Sequence, residues 1–141
     1  MSNLKFNNSR KNQTHRLPFV GKKQGKIGLS LWNVPPTGGY DGGCETGKAL
    51  ALIFIKHLRE HSRSPGGILQ HIALDMFGVE TLGIDDTRTG QAVGFFSEIE
   101  KCLAEMAPYM TGLDAIDPQV LLKHANRGLK QNDIGVEVNH A

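Results

Sequence analysis

Seven consecutive apolar residues at 49–55 (ALALIFI) constrain this chain more than any other feature. The run is far short of the roughly 20 residues that span a bilayer. It is also apolar on nearly every side, which suits a buried helix and not a surface one. A central helix is therefore expected from Cys44 or Thr46 to His61, with polar character returning at Lys56, His57, Arg59 and Glu60. Just ahead of the run, with only Lys48 between, stands TGGYDGGCETG, with five glycines in eleven positions. Such density means unusual dihedrals or close approach of the backbone to something else. Gly43, Gly47 and Ala51 recur every four residues, which lays a smooth strip along one face of a helix.

Three further helices follow from periodicity and punctuation. Ser64 as N-cap and Pro65 in the first turn predict a helix ending at Gly78, with Ile68, Leu69, Ile72, Met76 and Phe77 on one face. Ala92, Phe95, Phe96, Ile99, Leu103 and Met106 form a stripe that predicts a helix from about Thr89 to Met106, stopped by Pro108. Asp117 as cap, Pro118 in the first turn and Gly128 beyond the end mark a fourth, with Val120, Leu121 and His124 inward. Alternation at Ile27, Leu29 and Leu31 predicts a strand ended by Pro35 and Pro36. Ile134, Val136 and Val138 alternate more weakly and could pair with it. The expectation is a predominantly helical α+β chain, with about four helices and one or two short strands. It comprises a basic flexible arm over residues 1–25 and a single compact domain over 26–139.

The net charge of +2 conceals a segregation of sign. Residues 1–26 carry seven cations (Lys5, Arg10, Lys11, Arg16, Lys22, Lys23, Lys26) and no acid, while the remaining chain is net −5. An acid-free basic segment ahead of an acidic body is the pattern of an interaction tail, and its natural partner is a polyanion. The leading expectation is a non-enzymatic accessory protein whose arm contacts nucleic acid or a ribonucleoprotein through these seven residues. Phe6 and Phe19 are candidates for stacking on exposed bases. The third helix carries Glu98, Glu100 and Glu105 against Lys101 alone, a poor composition for a major-groove reader.

Two other readings compete. The loop over 32–43 offers Trp32, Tyr40 and Asp41 beside flexible glycines, as a protein-interaction module such as a small inhibitor or assembly subunit would. The stretch 42–48 (GGCETGK) fits a phosphate-cradling GxxxxGK pattern at Gly42, Gly47 and Lys48, and could serve a phosphate- or nucleotide-binding enzyme. Against that, Ala49 stands where Ser or Thr would hold magnesium, and no hydrophobic strand leads directly into the glycines. Cys44 near a helix start has the dipole that favours a thiolate, yet His57 lies thirteen residues along the same helix, roughly 20 Å away. His57 and His61 are read as part of a solvated face, and the Asp85, Asp86, Arg88 cluster as helix capping. No catalytic residue, metal or cofactor is expected. Two cysteines without CxxC spacing, and no secretory-type apolar stretch at the front, lead to a cytoplasmic, non-membrane expectation.

Overall fold

A computed structural model describes residues 3–23, 25, 27–61, 67–78 and 86–131. Among these residues four helices dominate: α1 (Gly39–Glu60), α2 (Ile68–Phe77), α3 (Thr87–Met106) and α4 (Pro118–Gly128). A two-stranded antiparallel hairpin precedes them, β1 (Gly21–Lys22) with β2 (Leu29–Ser30), paired Gly21 to Ser30 and Lys22 to Leu29. Single 3-10 turns occur at Thr14–Arg16, Ala107–Tyr109 and Leu113–Ala115. The protein is predominantly helical α+β, as the periodicity indicates.

Two compact units make up the chain, Met1–Ala104 and Glu105–Ala141, where the sequence reading expected an arm and one domain. The first 25 residues belong to the first unit, because Leu17, Phe19 and Val20 are buried in its core. Leu17, followed by Pro18, is held extended (φ −62°, ψ 141°), as a residue before proline prefers. The chain then turns at Pro18 and Phe19, the Val20 amide donating to the Leu17 carbonyl at 3.1 Å, and this turn presents Leu17, Phe19 and Val20 to the core together. Among the described residues, five of the eleven buried core hydrophobics (these three, Trp32 and Val34) come from ahead of the first helix. The helices contribute Leu50, Ala51, Phe54, Ile72, Met76 and Phe95. Phe19 sits among three rings, with centroids 5.7 Å from Trp32 and 6.4 Å from both Phe54 and Phe95.

The glycine-rich stretch is helix. Gly38 turns the chain at φ +105°, where a side chain would be strained, and α1 starts at Gly39, five residues earlier than the earliest expected start. The early start is explained by what faces it. A Cβ on Gly43 would lie 2.9 Å from the Gln91 amide nitrogen, and one on Gly47 would lie 2.8 Å from that of Phe95. Reciprocally, a Cβ on Gly90 would run into the Tyr40 carbonyl and one on Gly94 into the Cys44 carbonyl. The register of these contacts, Tyr40 beside Gly90 and Cys44 beside Gly94, makes α1 and α3 run parallel with their backbones in near contact. Four glycines supply that approach, and Ala51 extends the buried side of α1.

Other elements follow expectation in part. The proposed start of α2 at Ser64 and Pro65 lies outside the described residues, as does the pairing of 134–138 with the strand expected over 27–31. Ile72 and Met76 of α2 are buried, but Phe77 is 66% exposed. The alternation at 27–31 yields only Leu29–Ser30 as strand, and Ile27 stands fully in solvent. Asp117 caps α4, its carboxylate accepting from the Gln119 amide at 2.9 Å. Gly128 is the last residue of α4 and not the one beyond it. Val120, Leu121 and His124, expected inward, are exposed.

Candidate nucleic-acid interface

The basic segment is built on a folded base. The Asn7 amide donates to the Arg16 carbonyl (2.9 Å), and the Arg16 Nε donates to the Arg10 carbonyl (2.6 Å), closing residues 7–16 into a loop. The Asn33 amide donates to the Phe19 carbonyl (2.6 Å) and fixes the segment against the residues after β2. The Leu31 amide donates to Asp75 Oδ2 on α2 (2.7 Å), which ties the hairpin to the helical layer. Beyond β1, the Lys23 amide bonds the Gly28 carbonyl at 3.1 Å, and Gly28 takes a left-handed φ of +114° to close the hairpin.

This scaffold sorts the seven cations. Lys5, Lys11, Lys22 and Lys23 are exposed, and among the described residues none has a carboxylate within ion-pair distance. Arg10 and Arg16 are half-buried, and Arg16 is committed to a carbonyl within its own loop. Lys26 lies outside the described residues. Of the two aromatics, Phe6 is 56% exposed and free to stack, whereas Phe19 is fully buried and is not.

The 32–43 segment is not a loop bearing aromatic anchors. Trp32 is buried, with its indole Nε1 donating to Gln91 Oε1 at 3.0 Å, while Gln91 Nε2 donates to the Pro35 carbonyl at 2.9 Å. Gln91 thus clamps the proline-bearing chain to α3 from inside the core. Nothing in the sequence signals this role, because a glutamine on a helix reads as a surface residue; the structure places it on the buried line Thr87, Gln91, Phe95, Glu98. Tyr40 and Asp41 remain exposed in the first turn of α1. Hydrogen bonding to the Cys44 side chain, with charge on that thiol as the next cause, raises the Tyr40 pKa above its ordinary value.

Gly42, Gly43 and Gly47 also leave the phosphate-cradle geometry behind. Within α1 the amides from residue 43 onward are consumed by the i to i−4 ladder, so they cannot converge on an anion. Lys48 is exposed on the same helix, seven residues past Asp41 and roughly 10 Å further along the axis. The structure therefore does not gather Trp32, Tyr40, Asp41 and Lys48 into one pocket.

His57 departs from the solvated-face reading. It is 7% exposed, its Nε2 has no hydrogen-bond partner among the described residues, and its ring centroid lies 4.7 Å from that of His61. Burial lowers its pKa below the usual histidine range, proximity to His61 lowers it further, and Glu60 opposes both. No group of three or more His, Cys, Asp or Glu side chains converges among the described residues. No helix among them is long and apolar enough to cross a membrane. Comparison of the chain with protein-family models, with curated proteins and with solved structures found no match.

Proposed function

We propose that this is a non-enzymatic accessory protein whose basic N-terminal segment contacts nucleic acid or a ribonucleoprotein. The observation that carries the reading is the set of four exposed ammonium groups, Lys5, Lys11, Lys22 and Lys23, without carboxylate partners among the described residues and rooted in a folded core. A basic tail that must order on binding spends part of its interaction energy on that ordering. Here Leu17, Phe19 and Val20 have already fixed the backbone between the lysines. Contacts of this kind position a protein on phosphates without reading sequence, and their affinity falls steeply with salt. Phe6 adds one stacking surface suited to an unpaired base.

The burial of residues 17–20 also decides the experiment. Deleting residues 1–25 would empty the core, so loss of binding by such a truncation would report unfolding. The informative protein is the full chain with Lys5, Lys11, Lys22 and Lys23 all changed to Gln, compared with wild type by fluorescence anisotropy on mixed-sequence single- and double-stranded oligonucleotides. Wild type is expected to bind with a steep salt slope, and the variant to lose at least tenfold in affinity with a slope flatter by about 3. Equal binding by both proteins, or no salt-dependent binding by wild type, overturns the reading.

A further inference from the structure

The net −5 of residues 27–141 hides a second basic stretch. Between Pro118 and Gln131 there is no acid, while Lys123, Arg127 and Lys130 supply three cations. Lys123 and Arg127 stand four residues apart on α4, just over one turn, and so share a face. Lys130 lies in the turn that continues the helix, its amide donating to the Arg127 carbonyl at 3.1 Å, and three residues on it returns to the same side. All three side chains are exposed, and among the described residues none has a carboxylate within ion-pair distance. The negative end of the helix dipole accounts for cations in the last turn, such as Arg127 and Lys130. It does not account for Lys123 in the middle of α4.

We infer that this face of α4 is a second phosphate-contacting surface, which takes the sugar–phosphate backbone of a nucleic acid without reading its bases. This rests on the nucleic-acid reading proposed above and adds to it a contact outside the N-terminal segment. Lys123 and Lys130 are separated by roughly 10 Å along the helix, and one strand of a duplex carries a phosphate about every 3.4 Å of its axis. The row of cations therefore matches a run of about three phosphates. Gln119 and Asn126 beside it are exposed, uncharged donors that suit phosphate and sugar oxygens. The row lies on roughly the opposite side of α4 from Leu121, Leu122, Ala125 and Leu129. A bilayer entered through those leucines would leave the three cations pointing into water, so their placement favours a polyanion in solution over an anionic membrane.

The test is fluorescence anisotropy of the full chain on mixed-sequence oligonucleotides, with Lys123→Gln, Arg127→Gln and Lys130→Gln combined. All three positions are exposed, so helical content by circular dichroism should be unchanged. Affinity is expected to fall at least about fivefold, with a salt slope flatter by about 2 to 3, and equally on every sequence tried. The charge-preserving combination Lys123→Arg, Arg127→Lys and Lys130→Arg should bind within about twofold of wild type. Wild-type affinity and slope in the neutralised variant overturn the inference; if the N-terminal Lys→Gln variant is weakened in the same assay, the reading of the N-terminal segment stands without it. A neutralised variant weakened while the N-terminal variant binds as wild type gives the reverse result. An equal loss in the charge-preserving variant overturns the inference, and so does a loss confined to phosphatidylserine vesicles with oligonucleotide binding intact. No salt-dependent binding by wild type overturns both.

Discussion

At the N-terminal end of the molecule, a segment with neither helical nor strand periodicity supplies Leu17, Phe19 and Val20 to the core. At the C-terminal end, a well-capped helix with a regular leucine stripe buries none of its side chains. The contrast separates two questions that hydrophobic patterning tends to merge. Periodicity reports which secondary structure a segment favours; burial depends on whether another surface comes near enough to exclude water. The N-terminal segment meets such a surface because α1 and α3 approach at glycines and leave an aromatic-lined face beside them. Among the described residues of 105–131 no side chain is buried, although α4 has as clear an apolar stripe as the helices of the first unit.

The sharpest way to break this contrast is at the helix crossing. Gly47→Val places branched carbon against the α3 backbone at Gln91 and Phe95, where neither side can yield. Loss of cooperative thermal unfolding is expected, at a cost beyond the about 1–3 kcal/mol of ordinary overpacking because the atoms met are backbone on both sides. Gly42→Ala, with nothing within 4 Å of the added methyl, should instead stabilise α1 by up to about 1 kcal/mol. A similar response of the two variants in thermal melts would remove the close-approach argument.

Next in size is Phe19→Ala, which should cost about 3–5 kcal/mol in chemical denaturation, as for any fully buried phenylalanine. If its cost were below about 1 kcal/mol, typical of exposed positions, the N-terminal segment would be an appendage after all.

The smallest effect is the pH response of His57. Its folded-state pKa lies below the unfolded value, so the folded protein holds the neutral ring where the unfolded chain takes up a proton. Stability from this residue is complete above about pH 6.5 and declines as pH falls through that value toward the folded pKa. His57→Phe should flatten that part of the stability–pH curve measured by denaturant midpoint. An unchanged curve would mean that His57 is solvated.

Much of this was legible in the sequence. The four helices follow from apolar spacing and from caps such as Asp117, and the repeat of Gly43, Gly47 and Ala51 already described a strip for close packing. What it packs against was harder to see. Gly90 and Gly94 each look like helix weaknesses until the opposite backbone is known, and Gln91 looks like a surface residue until Trp32 and Pro35 claim both ends of its amide. The anchoring of residues 17–20 was hidden for a similar reason: three apolar residues in a polar stretch carry no period, and only tertiary contact reveals them as core. Among the candidate site residues, charge read from sequence located Lys5, Lys11, Lys22 and Lys23, but not which cations the fold would keep for itself.

The crossing of α1 and α3 also limits how this chain can change in length. Removing one residue from the middle of either helix would rotate everything beyond it by about 100° and advance it by about 1.5 Å. A glycine would then be replaced at the contact by the residue after it, Lys48 for Gly47 or Phe95 for Gly94, and the two backbones could no longer meet. Insertions and deletions should therefore be accommodated at the ends of these helices, while between Gly43 and Gly47, and between Gly90 and Gly94, the count of residues is as fixed as their identity.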